Sequence, residues 1–166
     1  ETAHMLPEFL STDILSLVPG KKRLALTVKI VLDNQCVLKS FDFFESTIVS
    51  DRKFHYREVE NILNGKSWEG IHKDLKELKL LTDKLRENRL SNDGFSLDLY
   101  EHDFKLDNHG NSIGSYEVKR LQSHGMIEES MLLANTLAAR QIEKLQTENN
   151  HFGIYRNHEN MSIKNE

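Results

Sequence analysis

RLALTVKIVLDNQCVLKSFDFFESTIV, residues 23–49, decides the fold class. Leu24, Leu26, Val28, Ile30 and Leu32 fall on one face of an extended chain, and Ala25, Thr27, Lys29 and Val31 fall on the other. A period of two marks a β-strand. Asp33, Asn34 and Gln35 supply a turn, after which Val37 to Val49 resumes in aromatic and β-branched residues. The two runs predict an antiparallel hairpin. Beyond Ser50 the period changes, because Tyr56, Val59, Ile62 and Leu63 share a helical face and Gly65 marks a stop. The fold class is therefore α+β: antiparallel hairpins packed with helices.

A longer helix is expected from Ser67, a good N-cap, to about Leu90. It places Ile71, Leu75, Leu78, Leu81 and Leu85 toward a core and pairs Glu69 with Lys73 on the wet side. Phe95 to Val118 reads as β again, with Phe95, Leu97 and Leu99 alternating and a turn at residues 107–111. A final helix runs from about Ser123 to Leu145. Its apolar stripe, from Met126 and Ile127 through Met131 and Leu137 to Leu145, is wide enough to predict the most buried helix. Phe152 to Arg156 reads as a short strand. With no internal repeat, low-complexity tract or linker, residues 1–166 read as a single unit. Residues 1–5 end in His4-Met5 and fit either a tag remnant or natural sequence.

Hydrophobic residues make up 38% of the chain and charged residues 29%, with signs interleaved, a globular rather than disordered composition. The net charge of −4 argues against a freestanding nucleic-acid binder, since phosphate contacts normally show as a basic excess. Any such affinity must be local or shared with other segments. Cys36 is the single cysteine, and no apolar run is long enough to span a bilayer, so the expected compartment is the cytoplasm and no membrane partner is expected.

There is no Gly-rich phosphate loop, no Cys-x-x-Cys and no His-Glu-x-x-His, and the eight histidines are scattered, so zinc is not expected. Asp98, Glu101 and Asp103 fit a solvated strand edge better than a cation site. The turn at Asp107 to Asn111 superficially resembles a calcium loop but lacks the remaining ligands and the closing glutamate. Glu128 and Glu129 point about 100° apart on a helix, so one can face a cavity while the other meets water. Their place early in the helix also suits the macrodipole with no function at all. Tyr56, at a helix start, fits packing more readily than a ligand platform. Lys21, Lys22 and Arg23 read as a solvated loop first and a phosphate contact second.

Several segments, taken in chain order, resemble the ribonuclease II and ribonuclease R family of RNB-type catalytic domains. MLPEFLS at residues 5–11, LSLVPG at 15–20 and RLA at 23–25 are similar to the family's MLP…L…SL.PG..RLA segment. FFESTIVSD at residues 43–51, continuing through Tyr56 to Leu63, is similar to F..S.I.SD..L.Y..V..IL. HGMIEESMLLAN at residues 124–135 is similar to the H.LIEE.MLLAN helix, and YRNH at 155–158 to LYR.H. The resemblance spans nearly the whole chain and leans toward bacterial ribonuclease R.

The resemblance implies an internal part of a processive 3′–5′ exoribonuclease that hydrolyses RNA to nucleoside 5′-monophosphates with magnesium, by two-metal phosphodiester hydrolysis. In the family the metal-binding aspartates precede the MLP segment, and a catalytic arginine follows LYR.H in an SPIR-type motif. Neither motif occurs here. The expectation is therefore no catalytic residue and no metal ligand in this chain, no activity when it is isolated, and magnesium held elsewhere in the full-length enzyme. The implied partners are the 3′ end of single-stranded RNA, the missing parts of the catalytic domain, and its OB-type RNA-binding domains. Tyr56 matches the family tyrosine after the SD motif, and Glu128 the first glutamate of IEE. By resemblance both lie near the 3′-terminal nucleotides, where a carboxylate accepting a ribose 2′-hydroxyl favours RNA over DNA. Leu97 stands where some members carry a base-stacking phenylalanine and offers no π face. His55 replaces the usual threonine cap before Tyr56. The alternative is a non-catalytic RNA- or protein-binding scaffold module of the same fold.

Overall fold

Strands β1 (Lys22–Leu32) and β2 (Leu38–Val49) pair antiparallel, from Lys22 opposite Val49 to Leu32 opposite Leu38, with an irregularity between Val31 and Leu32. They belong to a computed structural model that describes residues 3–65, 71–91, 101–149 and 152–156. The turn rests on Asp33, whose Oδ1 accepts the N–H groups of Gln35 and Val37, each at 2.9 Å. Cys36 takes the left-handed conformation at φ 58°. The second hairpin, β3 (Glu101–Leu106) and β4 (Ser112–Val118), repeats this loop. Asp107 Oδ1 accepts from the N–H groups of His109 and Asn111 at 2.8 Å, and Gly110 holds φ 83°. These hydrogen bonds, led by the one from the Asn111 backbone, hold the Asp107 carboxyl below the ordinary carboxylate range. The aspartate is an Asx-turn residue.

Shelter along β1 does not follow its apolar alternation. Leu24 and Leu26 are 88% and 74% exposed, while Arg23, Ala25 and Thr27 on the opposite face are half-buried. From Val28 onward the other set, with Ile30 and Leu32, is the sheltered one. Two local anchors account for the exchange. Near the start of β1, Arg23 Nε donates to the carbonyls of Asp13 and Ser16, both at 3.1 Å, and the guanidinium pairs with the Asp13 carboxylate. At the far end Val28 and Ile30 stand opposite Phe43 and Phe41, whose rings meet edge to face at 6.0 Å. The basic cluster is thus partly structural, with Lys21 also held by Asp13 at 2.9 Å.

Helix α1 (Tyr56–Leu63) ends at Asn64 and Gly65, the latter at φ 100°. Helix α2 (His72–Ser91) follows, and His72 Nε2 lies 3.1 Å from the Ile62 carbonyl. Ser67, Glu69, Phe95, Leu97 and Leu99 lie outside the described residues, and Lys73 pairs with Glu77 at 3.7 Å. Helix α3 (Gln122–Asn149) extends past the expected Leu145. Among the described residues the buried apolar side chains are Ile62, Met126 and Leu137, two of them on α3, which also buries Ser123 and Glu129. Its stripe is only partly covered, since Ile127, Met131 and Leu145 are exposed. Among the described residues no helix is long and apolar enough to cross a membrane.

The chain divides into two compact units, Glu1–Ser130 and Met131–Glu166. In the second, Gly153 lies against Ile142 and Gln146, and Tyr155 donates its hydroxyl to Gln146 Oε1 at 2.8 Å. Phe152 to Arg156 form no strand, contrary to the alternation, and Phe152 and Ile154 are almost wholly exposed. An extended run becomes a strand only where a ladder partner accepts it.

Ile62 is fully buried and Leu80 is well exposed on α2. Ile62→Ala is therefore expected to lower unfolding stability by about 2–5 kcal/mol, and Leu80→Ala by no more than about 0.5 kcal/mol. Urea titrations of the purified variants measure both.

Candidate nucleic-acid interface

Helix α1 begins at Tyr56 without a hydroxyl cap. The Glu58 carboxylate reaches back to accept the His55 backbone N–H at 2.7 Å, which is the glutamate half of a capping box. That bond, helped by Arg52, holds the Glu58 carboxyl below the ordinary carboxylate range. The histidine that replaces the expected threonine therefore leaves the helix start in place.

The start of α3 is tied to α1 across more than sixty residues of sequence. Glu60 accepts from Gln122 Nε2 at 3.2 Å and from the Ser123 N–H at 3.3 Å. The Ser123 hydroxyl, with only 2% of the residue exposed, donates to the Tyr56 carbonyl at 2.9 Å. Next along, His124 Nδ1 accepts the Leu121 N–H at 3.2 Å, so the imidazole carries its proton on Nε2. The His124 ring meets Tyr56 edge to face with centroids 4.2 Å apart. Tyr56 is packed along one edge yet 46% exposed, so packing and availability coexist.

Glu128 sits one turn beyond His124 on the same side of α3, as i,i+4 spacing requires. It is part-exposed and ion-paired with Arg120. Glu129 is 4% exposed and accepts a two-pronged bond from Arg89 of α2, Nε to Oε2 at 3.1 Å and Nη2 to Oε1 at 2.5 Å. The hydrogen bond to Glu129 raises the Arg89 pKa above its ordinary value. The adjacent glutamates thus have opposite surroundings. One locks α3 to α2 and the other stands at the surface.

Tyr56 and His124 border an open cleft of about 860 Å³, to which the second hairpin contributes Asp103, Tyr116 and Glu117, with Lys119 just beyond it. Asp103, read from sequence as a solvated edge residue, accepts the Tyr116 hydroxyl at 3.0 Å. Leu97, the third residue singled out for RNA contact, and Asp98 lie outside the described residues. Among the described residues no three imidazole, thiol or carboxyl groups converge closely enough to hold a metal ion. Glu60 and Arg89 bond to partners 40 or more residues away, and Tyr116 to a partner on the neighbouring strand of the second hairpin, so no local pattern marks them. Ser123 was legible only as an approximate helix start.

Two outcomes test these ties. Arg89→Ala leaves Glu129 buried without its partner and is expected to cost about 3 kcal/mol, the low end for a broken buried pair because Arg89 is part-exposed. The double change Arg89→Met with Glu129→Leu should recover most of it, and chemical denaturation measures each. For Glu58 the folded pKa is depressed, so its contribution is complete above the ordinary value near 4.5 and is lost as pH falls through the lower folded value. Subtracting the stability of Glu58→Gln from that of the unsubstituted chain should therefore give a difference that is constant above about pH 4.5, shrinks as pH falls from there through the folded value, and levels off below it.

The RNB domain family model matches residues 1–166. Ribonuclease R of Buchnera aphidicola subsp. Acyrthosiphon pisum (strain APS) is 32% identical over 160 residues, covering 93% of this chain and 21% of that protein. Exoribonuclease 2 of Buchnera aphidicola subsp. Cinara cedri is 33% identical over 161 residues, covering 93% of this chain and 24% of that protein. Mycoplasma genitalium RNase R, solved with ribose-methylated single-stranded RNA, superposes with a TM-score of 0.81 at 29% identity, over 86% of this chain and 23% of that one. The chain spans about a fifth of the length of the relatives it matches, 21% of the first.

Proposed function

This chain belongs to the RNB domain family, and on that premise we propose that it forms part of the RNA channel of a processive 3′–5′ exoribonuclease of the ribonuclease R type. The full-length enzyme acts in the cytoplasm, hydrolyses single-stranded RNA from its 3′ end and releases nucleoside 5′-monophosphates. Its magnesium ions are held by aspartates outside this chain, and the remainder of the catalytic domain and the OB-type domains complete the path. Residues 1–166 contribute wall rather than cutting chemistry.

The observation that supports this reading is the contact of Tyr56 with His124, which precedes Glu128 by one helical turn on α3. Tyr56 packs on His124, and Glu128 follows His124 by one helical turn, with Arg120 orienting its carboxylate. A carboxylate so held accepts a ribose 2′-hydroxyl, a donor that DNA lacks. Hydrogen bonds to charged groups contribute about 1.5–3 kcal/mol, enough for roughly a ten- to hundredfold preference. The RNA-bound Mycoplasma genitalium RNase R, of similar fold, supports the choice of ligand.

Glu128→Ala in the full-length protein should reduce the ratio of hydrolysis rates on RNA and on an oligonucleotide with a DNA 3′ end by about tenfold or more. An unchanged ratio contradicts the role. The isolated chain with magnesium should leave single-stranded RNA intact on a denaturing gel, and release of mononucleotides would show that cutting residues lie within it.

A further inference from the structure

The cleft beside Tyr56 has a second aromatic wall that neither the family resemblance nor the proposed roles of Tyr56 and Glu128 use. Tyr116, on β4 of the second hairpin, lines the same cavity as Tyr56 and is 43% exposed. Its orientation is set from two sides. The hydroxyl donates to Asp103 Oδ2 at 3.0 Å on the neighbouring strand, and Lys105 Nζ stands 5.9 Å from the ring centroid. The bond to Asp103 pushes the phenol pKa up, and Arg57 of α1 opposes that shift. The ring therefore keeps its proton as a donor, and Arg57 of α1 lines the same cavity.

The ligand class follows from what lines the cavity. About 860 Å³ lies within the range of small-molecule pockets and has room for a nucleotide. Its charged lining is mixed, with Arg57 and Lys119 against Glu60, Asp103 and Glu117, so the cleft has no surplus of positive charge with which to hold phosphates. Glu60 and Asp103 already accept hydrogen bonds from Ser123 and Tyr116. Tyr56 and Tyr116 are both partly exposed, and an aromatic face open to the cleft stacks with bases of any sequence. His124 also lines the cleft.

We propose that this cleft is an additional nucleotide subsite, in which Tyr116 stacks on a base of single-stranded RNA whose neighbouring nucleotide lies against Tyr56. The subsite rests on the RNA-channel function above and deepens it: the second hairpin becomes a wall that grips bases, beside a helix pair that reads ribose. Because the grip is aromatic rather than ionic, losing Tyr116 should weaken binding without changing its salt dependence, whereas losing a phosphate contact flattens the salt slope.

The test uses the full-length protein, a fluorescein-labelled single-stranded RNA of ten adenosines with 2′-O-methyl riboses, and anisotropy titrations over a series of salt concentrations. Tyr116→Ala should raise Kd by roughly tenfold, within the range for loss of one stacked base, and leave the slope of log Kd against log salt unchanged. Tyr116→Phe should stay within twofold of the unsubstituted protein, and Tyr116→Leu, which keeps bulk without a π face, should follow Tyr116→Ala. Thermal unfolding of each variant separates lost binding from lost folding, and the comparison of Tyr116→Leu with Tyr116→Phe decides the matter if Tyr116→Ala unfolds. Tight binding by Tyr116→Leu, or a flattened salt slope, overturns the stacking subsite and leaves the channel function standing. No binding by the unsubstituted protein to this RNA or, with magnesium omitted, to the unmethylated ten-adenosine RNA overturns both.

Discussion

The Ser123 hydroxyl bonded to the Tyr56 carbonyl is the constraint from which the arrangement of this surface follows. It joins the first residue of α1 to the second residue of α3, and it does so where Ser123 is almost wholly buried. A hydroxyl in that position without a partner would cost about 1–3 kcal/mol, so the helix starts cannot separate cheaply. Glu60 reinforces the joint by accepting from Gln122 and Ser123, placing negative charge at the N-terminus of α3, where the helix dipole favours it. With the starts joined, the edge-to-face contact of Tyr56 with His124 is imposed by geometry.

A second tie determines how α3 leaves that joint. Glu129 is held in a two-pronged bond by Arg89 of α2, and this sets the rotation of α3 about its own axis. Adjacent helical residues diverge by about 100°. Burying Glu129 therefore turns Glu128 outward, where it meets Arg120. On the proposed function, the ribose-reading carboxylate owes its direction to the neighbour that never meets RNA. A buried ion pair is seldom a net source of stability, and here its value lies in orientation.

The elements legible in the sequence were those defined by local pattern. The alternation from Leu24 to Leu32, the helical face of Tyr56, Val59 and Ile62, and the turns at Asp33 and Asp107 all appear as local physics requires. What alternation could not reveal is which face is sheltered. Leu24 and Leu26 are exposed because Arg23, on the opposite side, is anchored to Asp13 and Ser16, a contact with no periodic trace. The same limit explains why Phe152 to Arg156, read as a strand, form none. In the candidate interface Tyr56 and Glu128 were reachable by resemblance to a family, since their types and spacing match its motifs. Glu60, Arg89 and Tyr116 act through partners on other elements, so only the folded arrangement exposes them.

The claim on which the rest turns is that Tyr56 and Glu128 meet the same strand of RNA. Photocrosslinking tests it most directly, using the full-length protein and single-stranded RNA carrying one 4-thiouridine at successive positions from the 3′ end, with crosslinked peptides identified by mass spectrometry. Crosslinks from the same or adjacent nucleotides to the peptides bearing Tyr56 and Glu128 are the expected result. Efficient crosslinking that reaches neither peptide from any of those positions would contradict it.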